Sequence, residues 1–226
     1  MPGVRERCVV LFSKPSLPGR VKTRLVGDLS AAEAAQLHAA FLADLLAGLS
    51  TERFGLRVAW ALESGDSVPA TSRPLIQHGA DLGERQWNAL CEAATDARAV
   101  AAIGSDVPDL PAGRLDEAFA ALEGGFDVAL GPAVDGGYYL IALRAEALRE
   151  ELFLQRSWST ESVYVETLAC CARAGLRVHT LPTERDVDTP ADLEALAGRL
   201  ARAPGRCPST RALLQSWRLL PLEVEA

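Results

Sequence analysis

Short apolar runs rich in β-branched residues recur along the chain, at residues 8–12, 56–62, 100–103, 126–130, 138–143 and 176–181. Their length and composition predict buried strands. Between most of them the apolar period lengthens to that of a helix. The clearest helix opens with a capping box, Ser30-Ala-Ala-Glu33, and carries Leu37, Phe41, Leu45 and Leu49 at helical spacing. Further helices are predicted over residues 84–97, 111–122, 160–174, 190–201 and 210–220. In the helix over 190–201, Thr189 stands at the N-cap and Pro190 at the first helical position, a preorganised start.

Strands that alternate with helices imply parallel pairing and a three-layer α/β/α sandwich. Residues 126–143 depart from that rule. There two apolar runs meet across Asp135-Gly-Gly137, a gap too short for a crossover, so this pair is expected to be antiparallel. The fold class predicted is therefore α/β, with a mixed, mainly parallel sheet. No repeat and no low-complexity linker divides the sequence, and residues 1–226 read as a single domain.

Composition narrows the function. About half of the 226 residues are hydrophobic (49%) and 23% are charged, enough for a large core without staples. The formal charge is −7 and the pI near 5.1, which argues against a general nucleic-acid binder, since that needs a wide basic face. No apolar stretch approaches the length of a membrane span. The five cysteines are odd in number and show no CxxC spacing, and no signal segment precedes the first strand; a reduced, cytoplasmic protein is expected. His38, His78 and His179 are scattered, so a histidine-ligated metal is not expected and structural roles are favoured for them.

Against that acidic background, local charge carries meaning. Asp106, in Ile103-Gly-Ser-Asp-Val-Pro-Asp-Leu110, follows an apolar strand and so emerges at its C-terminal end, the edge where open α/β sheets bind ligands. A turn-capping aspartate is the plainer alternative. A second acidic segment, Asp186-Val-Asp-Thr-Pro-Ala-Asp192, places Asp188 between the last strand and a helix, where capping again competes with metal binding. Four cations, Lys14, Arg20, Lys22 and Arg24, sit in one loop after the first strand and suit a polyphosphate. Amides near Gly19 to Thr23 add donors if they open a short helix. The segment is not a P-loop, because the glycines that motif requires are missing, and no GxGxxG is present. A solvated basic turn is the alternative here.

Mg²⁺ (or Mn²⁺) binds through one or two carboxylates plus phosphate oxygens, which makes the basic loop and the aspartates complementary. Asp106 and Asp188 are the candidate metal ligands. Lys14, Lys22 and Asp106 are the candidate catalytic residues, and Arg20 and Arg24 candidate substrate contacts. Gln77, Asp81 and Arg85, in Gln77-His-Gly-Ala-Asp-Leu-Gly-Glu-Arg85, suit base or ribose recognition, although Asp81 with Glu84 also makes a capping pair. Asp135, Gly136 and Gly137 join two strands with no bulky tip and permit a ligand close to the backbone; a plain hairpin turn is the alternative. Trp158, before Ser159 and Thr160, is either part of an acceptor pocket or a core anchor, the latter favoured.

Taken together, FSKPSLPGRVKTRL, QHGADLGER, GSDVPDL, GPAVDGGYYLIAL, WST and DVDTPADL, in that order over residues 12–193, resemble the bacterial "transferase 1" family associated with radical-SAM and selenium domains. That family is assigned to the glycosyltransferase-A-like, nucleotide-diphospho-sugar transferase superfamily. The resemblance implies a nucleotide-binding sandwich in which the basic loop wraps phosphates. It also implies that Asp106 stands at the metal-binding aspartate and Asp188 at a second metal ligand. The first loop, KPSLPGRVKTR, lacks the glycine-rich signature of many sugar-nucleotide pyrophosphorylases.

The expected function is a metal-dependent transferase that binds a nucleoside triphosphate or nucleotide-sugar. Nucleotidyl transfer to a small phosphorylated or hydroxyl acceptor is favoured, because four cations suit the charge developing on a departing pyrophosphate. A glycosyltransferase with a nucleotide-sugar donor and a noncatalytic nucleotide sensor or scaffold are the rival readings. Neither nucleic acid nor membrane is an expected partner, and the oligomeric state is not specified by the sequence.

Overall fold

The computed structural model describes residues 5–50, 53–71, 73–111, 113–154, 158 and 161–220. Among these, seven strands form one sheet: β1 (Arg5–Ser13), β2 (Gly55–Trp60), β3 (Leu75–Ile76), β4 (Ala97–Gly104), β5 (Val128–Pro132), β6 (Tyr138–Arg144) and β7 (Val178–Thr180). Their spatial order is β3-β2-β1-β4-β6-β5-β7. Neighbours are parallel except at β6, which is antiparallel to both β4 and β5. The sheet is thus mixed and mainly parallel, and Asp135-Gly-Gly137 closes the antiparallel hairpin that its length demands.

Among the described residues six helices accompany the strands: α1 (Ala31–Leu49), α2 (Leu82–Ala94), α3 (Arg114–Glu123), α4 (Val163–Arg173), α5 (Pro190–Ala201) and α6 (Pro208–Ser216). On one face of the sheet Cys8, Val10 and Phe12 pack with Val100, Ala102, Ile141 and Leu143 against Leu90 and Ala93 of α2 and Cys171 of α4. The intervening Val9 and Leu11 point to the other face and are equally buried. On that side Arg7 lies 5.5 Å over the Phe119 ring of α3 and donates Nε to Glu123 at 3.1 Å. Helices cover both faces, which is why the central strands read as unbroken apolar runs rather than as alternations.

The residues cluster into two compact units, neither of them contiguous. The first, residues 1–14, 51–104 and 111–184, holds the sheet with α2, α3 and α4. The second, residues 15–50, 105–110 and 185–226, gathers α1, α5 and α6 around a core of its own. Leu37 and Phe41 of α1 meet Leu193, Leu196 and Leu200 of α5 and Leu214 of α6, one stripe per helix at helical spacing. Asp44 of α1 closes the assembly. Its buried carboxylate accepts the Ser209 and Thr210 N–H groups, each at 2.8 Å, and so caps α6, whose own N-cap Cys207 makes no side-chain bond.

The Ser30 capping box forms as read, and Thr189, read as an N-cap alone, makes a second box with Asp192. Ser30 Oγ accepts from Glu33 N–H at 3.2 Å, and Thr189 Oγ1 accepts from Asp192 N–H at 3.3 Å. Boundaries shift elsewhere. The helix expected to reach residue 97 stops at Ala94, because Ala97 already pairs with Arg5 as the first residue of β4. The helix expected from 111 starts at Arg114, and α6 runs two residues earlier and four shorter at its end than 210–220, since Pro208 takes the first helical position. Strand β3, two residues long, carries too little pattern to be read. The helix expected from Thr160 is α4, beginning at Val163; Ser159 and Thr160 lie outside the described residues. Among the described residues no helix is long and apolar enough to cross a membrane.

Candidate functional site

The basic loop enters the second unit in tight turns. Leu17 N–H donates to Pro15 O at 2.8 Å and Arg20 N–H to Leu17 O at 3.1 Å, with Gly19 at φ +75° where a side chain would be strained. Val21 and Leu25 are buried and anchor the C-terminal half of the loop. The short helix anticipated near Gly19 to Thr23 is a three-residue 3-10 turn, Thr23–Leu25, too short to present a helix dipole to an anion. Lys22 precedes it in a left-handed conformation, φ 48°, that a lysine adopts only under constraint.

That constraint is visible at the tip of the side chain. Lys22 Nζ donates to Asp106 Oδ1 and, at 3.1 Å, to Asp188 Oδ1. The lysine side chain is 2% exposed, whereas those of Asp106 and Asp188 are 45% and 36% exposed. Burial acts to lower the ammonium pKa, but the two carboxylates outweigh it and hold Lys22 above its ordinary value. Phe41 of α1 lies beneath, its ring centroid 5.6 Å from Nζ. Arg24 Nη1 is 3.7 Å from Asp188 Oδ2 on the exposed side. The site therefore unites Lys22, Arg24, Asp106 and Asp188, all in the second unit. Arg20, half-buried, belongs to the same loop.

Backbone and salt bridges fix the two aspartates. Val187 N–H donates to Asp106 O at 2.9 Å, which ties the two acidic segments together directly. Asp188 precedes the α5 capping box, so its position follows from the start of that helix. Beyond Asp106, the buried Asp109 accepts from Arg199 Nε at 2.6 Å and Nη2 at 3.1 Å, while Arg206 donates to Asp109 O and Cys207 Sγ to Pro108 O. Sequence reasoning passed over Asp109, Arg199 and Arg206. Their pairing spans 90 residues or more and leaves no local mark.

Two carboxylate oxygens thus converge on one point, filled by an ammonium and open on its outer flank. Hard oxygen donors of this number suit Mg²⁺ or Mn²⁺ when phosphate oxygens and water complete the shell. Among the described residues no group of three or more histidine, cysteine or acidic side chains could hold a metal unaided. The donor set therefore fits an ion that arrives with a phosphate ligand, not one caged by protein alone.

The remaining candidates lie in the first unit. Lys14 is exposed at its margin. Gln77 turns its carboxamide toward the backbone, Nε2 donating to Ala59 O at 2.7 Å and Ser13 O at 3.3 Å. Asp81 is the N-cap of α2, accepting from Glu84 N–H at 2.9 Å, and Arg85 Nε donates to Gly79 O at 3.2 Å. Asp135 accepts from Gly137 N–H at 2.9 Å in the hairpin turn. Gly136, at φ +89°, is approached closely by the backbone of Glu161. Trp158, half-buried, stacks edge-on to Tyr138, centroids 6.1 Å apart, and donates Nε1–H to Phe153 O at 3.2 Å.

Residues 55–160 match a family described as an uncharacterized protein conserved in bacteria, DUF2064. A provisionally named nucleotide-diphospho-sugar transferase from Desulfovibrio desulfuricans G20 has a structure with TM-score 0.89, 35% sequence identity, covering 95% of this chain and 96% of its own. A cytidylyltransferase from Leptospira borgpetersenii matches with TM-score 0.57 at 14% identity, over 98% of this chain and 99% of its own. A CMP:2-keto-3-deoxy-manno-octonic acid synthetase, solved with CTP, matches with TM-score 0.53 at 13% identity, over 87% and 99%. The last two likenesses establish the fold alone. No functionally curated protein matches the sequence.

Proposed function

Because the chain belongs to the family of the Desulfovibrio nucleotide-diphospho-sugar transferase, we propose that it is a metal-dependent transferase that moves a nucleotidyl group from a nucleoside triphosphate to a small phosphorylated or hydroxyl acceptor. The order of its motifs supports a place in the transferase 1 branch. The five free cysteines support a reducing, cytoplasmic setting.

One observation carries the reading: Asp106 and Asp188 direct an oxygen each at a single cation position, with Arg24 beside it. Asp106 and Asp188 would hold a divalent ion there, which would supply charge neutralisation to the phosphates of a bound nucleotide. Lys22, whose Nζ donates to both carboxylates, would supply a positive charge and N–H donors to phosphate oxygens at the same position. Arg24 adds a second fixed positive charge. Stabilisation of charge on the departing pyrophosphate is the work assigned to these two cations. An acceptor that is already anionic needs no general base.

The test is the identity of the leaving group. Purified protein is incubated with Mg²⁺, the four nucleoside triphosphates and a panel of phosphorylated acceptors, and pyrophosphate is measured. Release of pyrophosphate that disappears in Asp106→Asn supports nucleotidyl transfer. Release of a nucleoside diphosphate from nucleotide-sugars, with no pyrophosphate from triphosphates, assigns glycosyl transfer instead. Nucleotide binding with no turnover of either kind identifies a sensor.

A further inference from the structure

His38 of α1 is 3% exposed and has a serine hydroxyl against each ring nitrogen. Ser16 Oγ lies 2.8 Å from Nδ1 and Ser105 Oγ 3.3 Å from Nε2. These serines are not neighbours in the helix. Ser16 belongs to the basic loop, and Ser105, itself 5% exposed, immediately precedes Asp106. We infer that His38 is a positioning residue that sets the separation between the basic loop and the aspartate loop, and so the geometry at which Lys22, Arg24 and Asp106 meet a metal-bound polyphosphate. The inference rests on the function proposed above.

Three features favour this role over that of a histidine merely satisfied in a core. A serine hydroxyl is one torsion from the main chain, so a short bond to it restrains the backbone of the loop and not only a side chain. An imidazole is rigid, with its two polar atoms on separate flanks. Because hydroxyls donate and accept, both bonds persist in either neutral tautomer. Finally, the restraint is reinforced one turn along the same helix face. Phe41, three residues on, supports Lys22 Nζ at 5.6 Å, and Lys22 binds Asp106. Along one face of α1, His38 thus meets both loops directly through Ser16 and Ser105, and Phe41 backs the Lys22 that bonds Asp106. Positioning of this kind is consequential, since a displacement of about 1 Å at a reacting group is enough to lower a rate about 100-fold.

The experiment uses the full chain and a defined probe, inorganic pyrophosphate in the presence of Mn²⁺, titrated by calorimetry beside thermal melting. Ser16→Ala, Ser105→Ala, His38→Ala and His38→Gln are compared with Gly175→Ala, a backbone change at a positive φ in the first unit that touches neither loop. We expect His38→Ala to weaken pyrophosphate binding about tenfold. We expect each serine variant to weaken it less, His38→Gln to restore part of the loss, and Ser16→Ala to add nothing in the His38→Ala background. Gly175→Ala lowers the melting temperature and leaves affinity unchanged. Where His38→Ala does not fold, the two serine variants decide, since each removes one oxygen atom. Affinities within twofold of wild type in the folded variants overturn the inference while leaving the proposed function standing. A wild-type chain that binds no pyrophosphate with Mn²⁺ removes both.

Discussion

Lys22 Nζ donates to Asp188 Oδ1 at 3.1 Å, and the two ends of that bond are unequally wet: the lysine side chain is 2% exposed, the aspartate 36%. Removing the lysine leaves carboxylates that water can reach. Removing the carboxylates leaves an ammonium buried beside Phe41. Stability should follow that asymmetry. We expect Lys22→Met to cost about 1 kcal/mol or less and the double variant Asp106→Asn/Asp188→Asn about 3 kcal/mol, read from urea unfolding. A larger loss in Lys22→Met than in the double variant would contradict it.

The same pair makes a prediction for metal. Lys22→Met removes the buried counter-ion that Asp106 and Asp188 share and leaves, among the described residues, only the exposed Arg24 beside Asp188, so Mn²⁺ alone, without nucleotide, should bind about tenfold more tightly than to wild type. Pyrophosphate binding should weaken in the same variant. Electron paramagnetic resonance of free Mn²⁺ measures the first and calorimetry the second; equal Mn²⁺ affinity in the two proteins rules out competition between lysine and metal.

Asp109 and Arg199 form a two-point bridge behind the Asp106 loop, with the aspartate side chain 8% and the arginine 32% exposed. Truncating the aspartate removes both of these bonds from a guanidinium that water reaches only in part. Asp109→Ala should lose about 3 kcal/mol of unfolding free energy, and Arg199→Ala, which leaves the more buried carboxylate unpaired, at least as much. Because Asp109 holds the loop and not the ligand, a folded Asp109→Asn should keep measurable pyrophosphate binding.

Gly136 and Gly175 both have positive φ, +89° and +68°, but differ in surroundings. An added Cβ at Gly175 meets nothing within 4 Å, so Gly175→Ala should cost about 1 kcal/mol for backbone conformation alone. At Gly136 the Cβ would overlap the backbone of Glu161, whose neighbour Tyr164 N–H bonds Gly136 O at 3.0 Å. Gly136→Ala should therefore be the more damaging by at least about 2 kcal/mol, comparing melting temperatures.

Burial, aided by Asp44 and Asp109, pushes the Cys207 thiol up to about 12. An unfolded thiol ionises near ~8.5, so the folded state holds its proton more tightly. The stability this contributes is complete below about 8.5 and is lost as pH rises from there toward about 12. Between pH 8 and 10, Cys207→Ala should show a shallower alkaline decline of the urea midpoint than wild type. An unchanged slope would mean that the thiol does not carry the effect.

Local chemistry made part of this structure legible. The Ser30 capping box needs only residues three apart and forms where read, and Thr189 caps α5 as read. Asp106 and Asp188 were legible as a pair because each follows a strand pattern and so ends at one kind of edge. The partner of Lys22 was not. The loop's cations read as phosphate ligands, whereas Lys22 binds aspartates 84 and 166 residues away, a pairing decided by packing that no short pattern encodes. Asp44 as the cap of α6 and Asp109 as the anchor of its loop are missed for the same reason. Asp81 and Asp135 show the converse, residues whose nearby glycines suggested a ligand while their carboxylates close local turns.

The bond between Asp44 and Thr210 joins residues 166 positions apart, and the cation position draws on segments of similar separation. A chain emerging from the ribosome carries Lys22 and Asp106 long before Asp188 exists. Loops of that size close late, because their entropy must be met before any contact rewards it. The cation position therefore stays incomplete in nascent protein until the segment that carries Asp188 has left the ribosome, however early Lys22 and Asp106 are made.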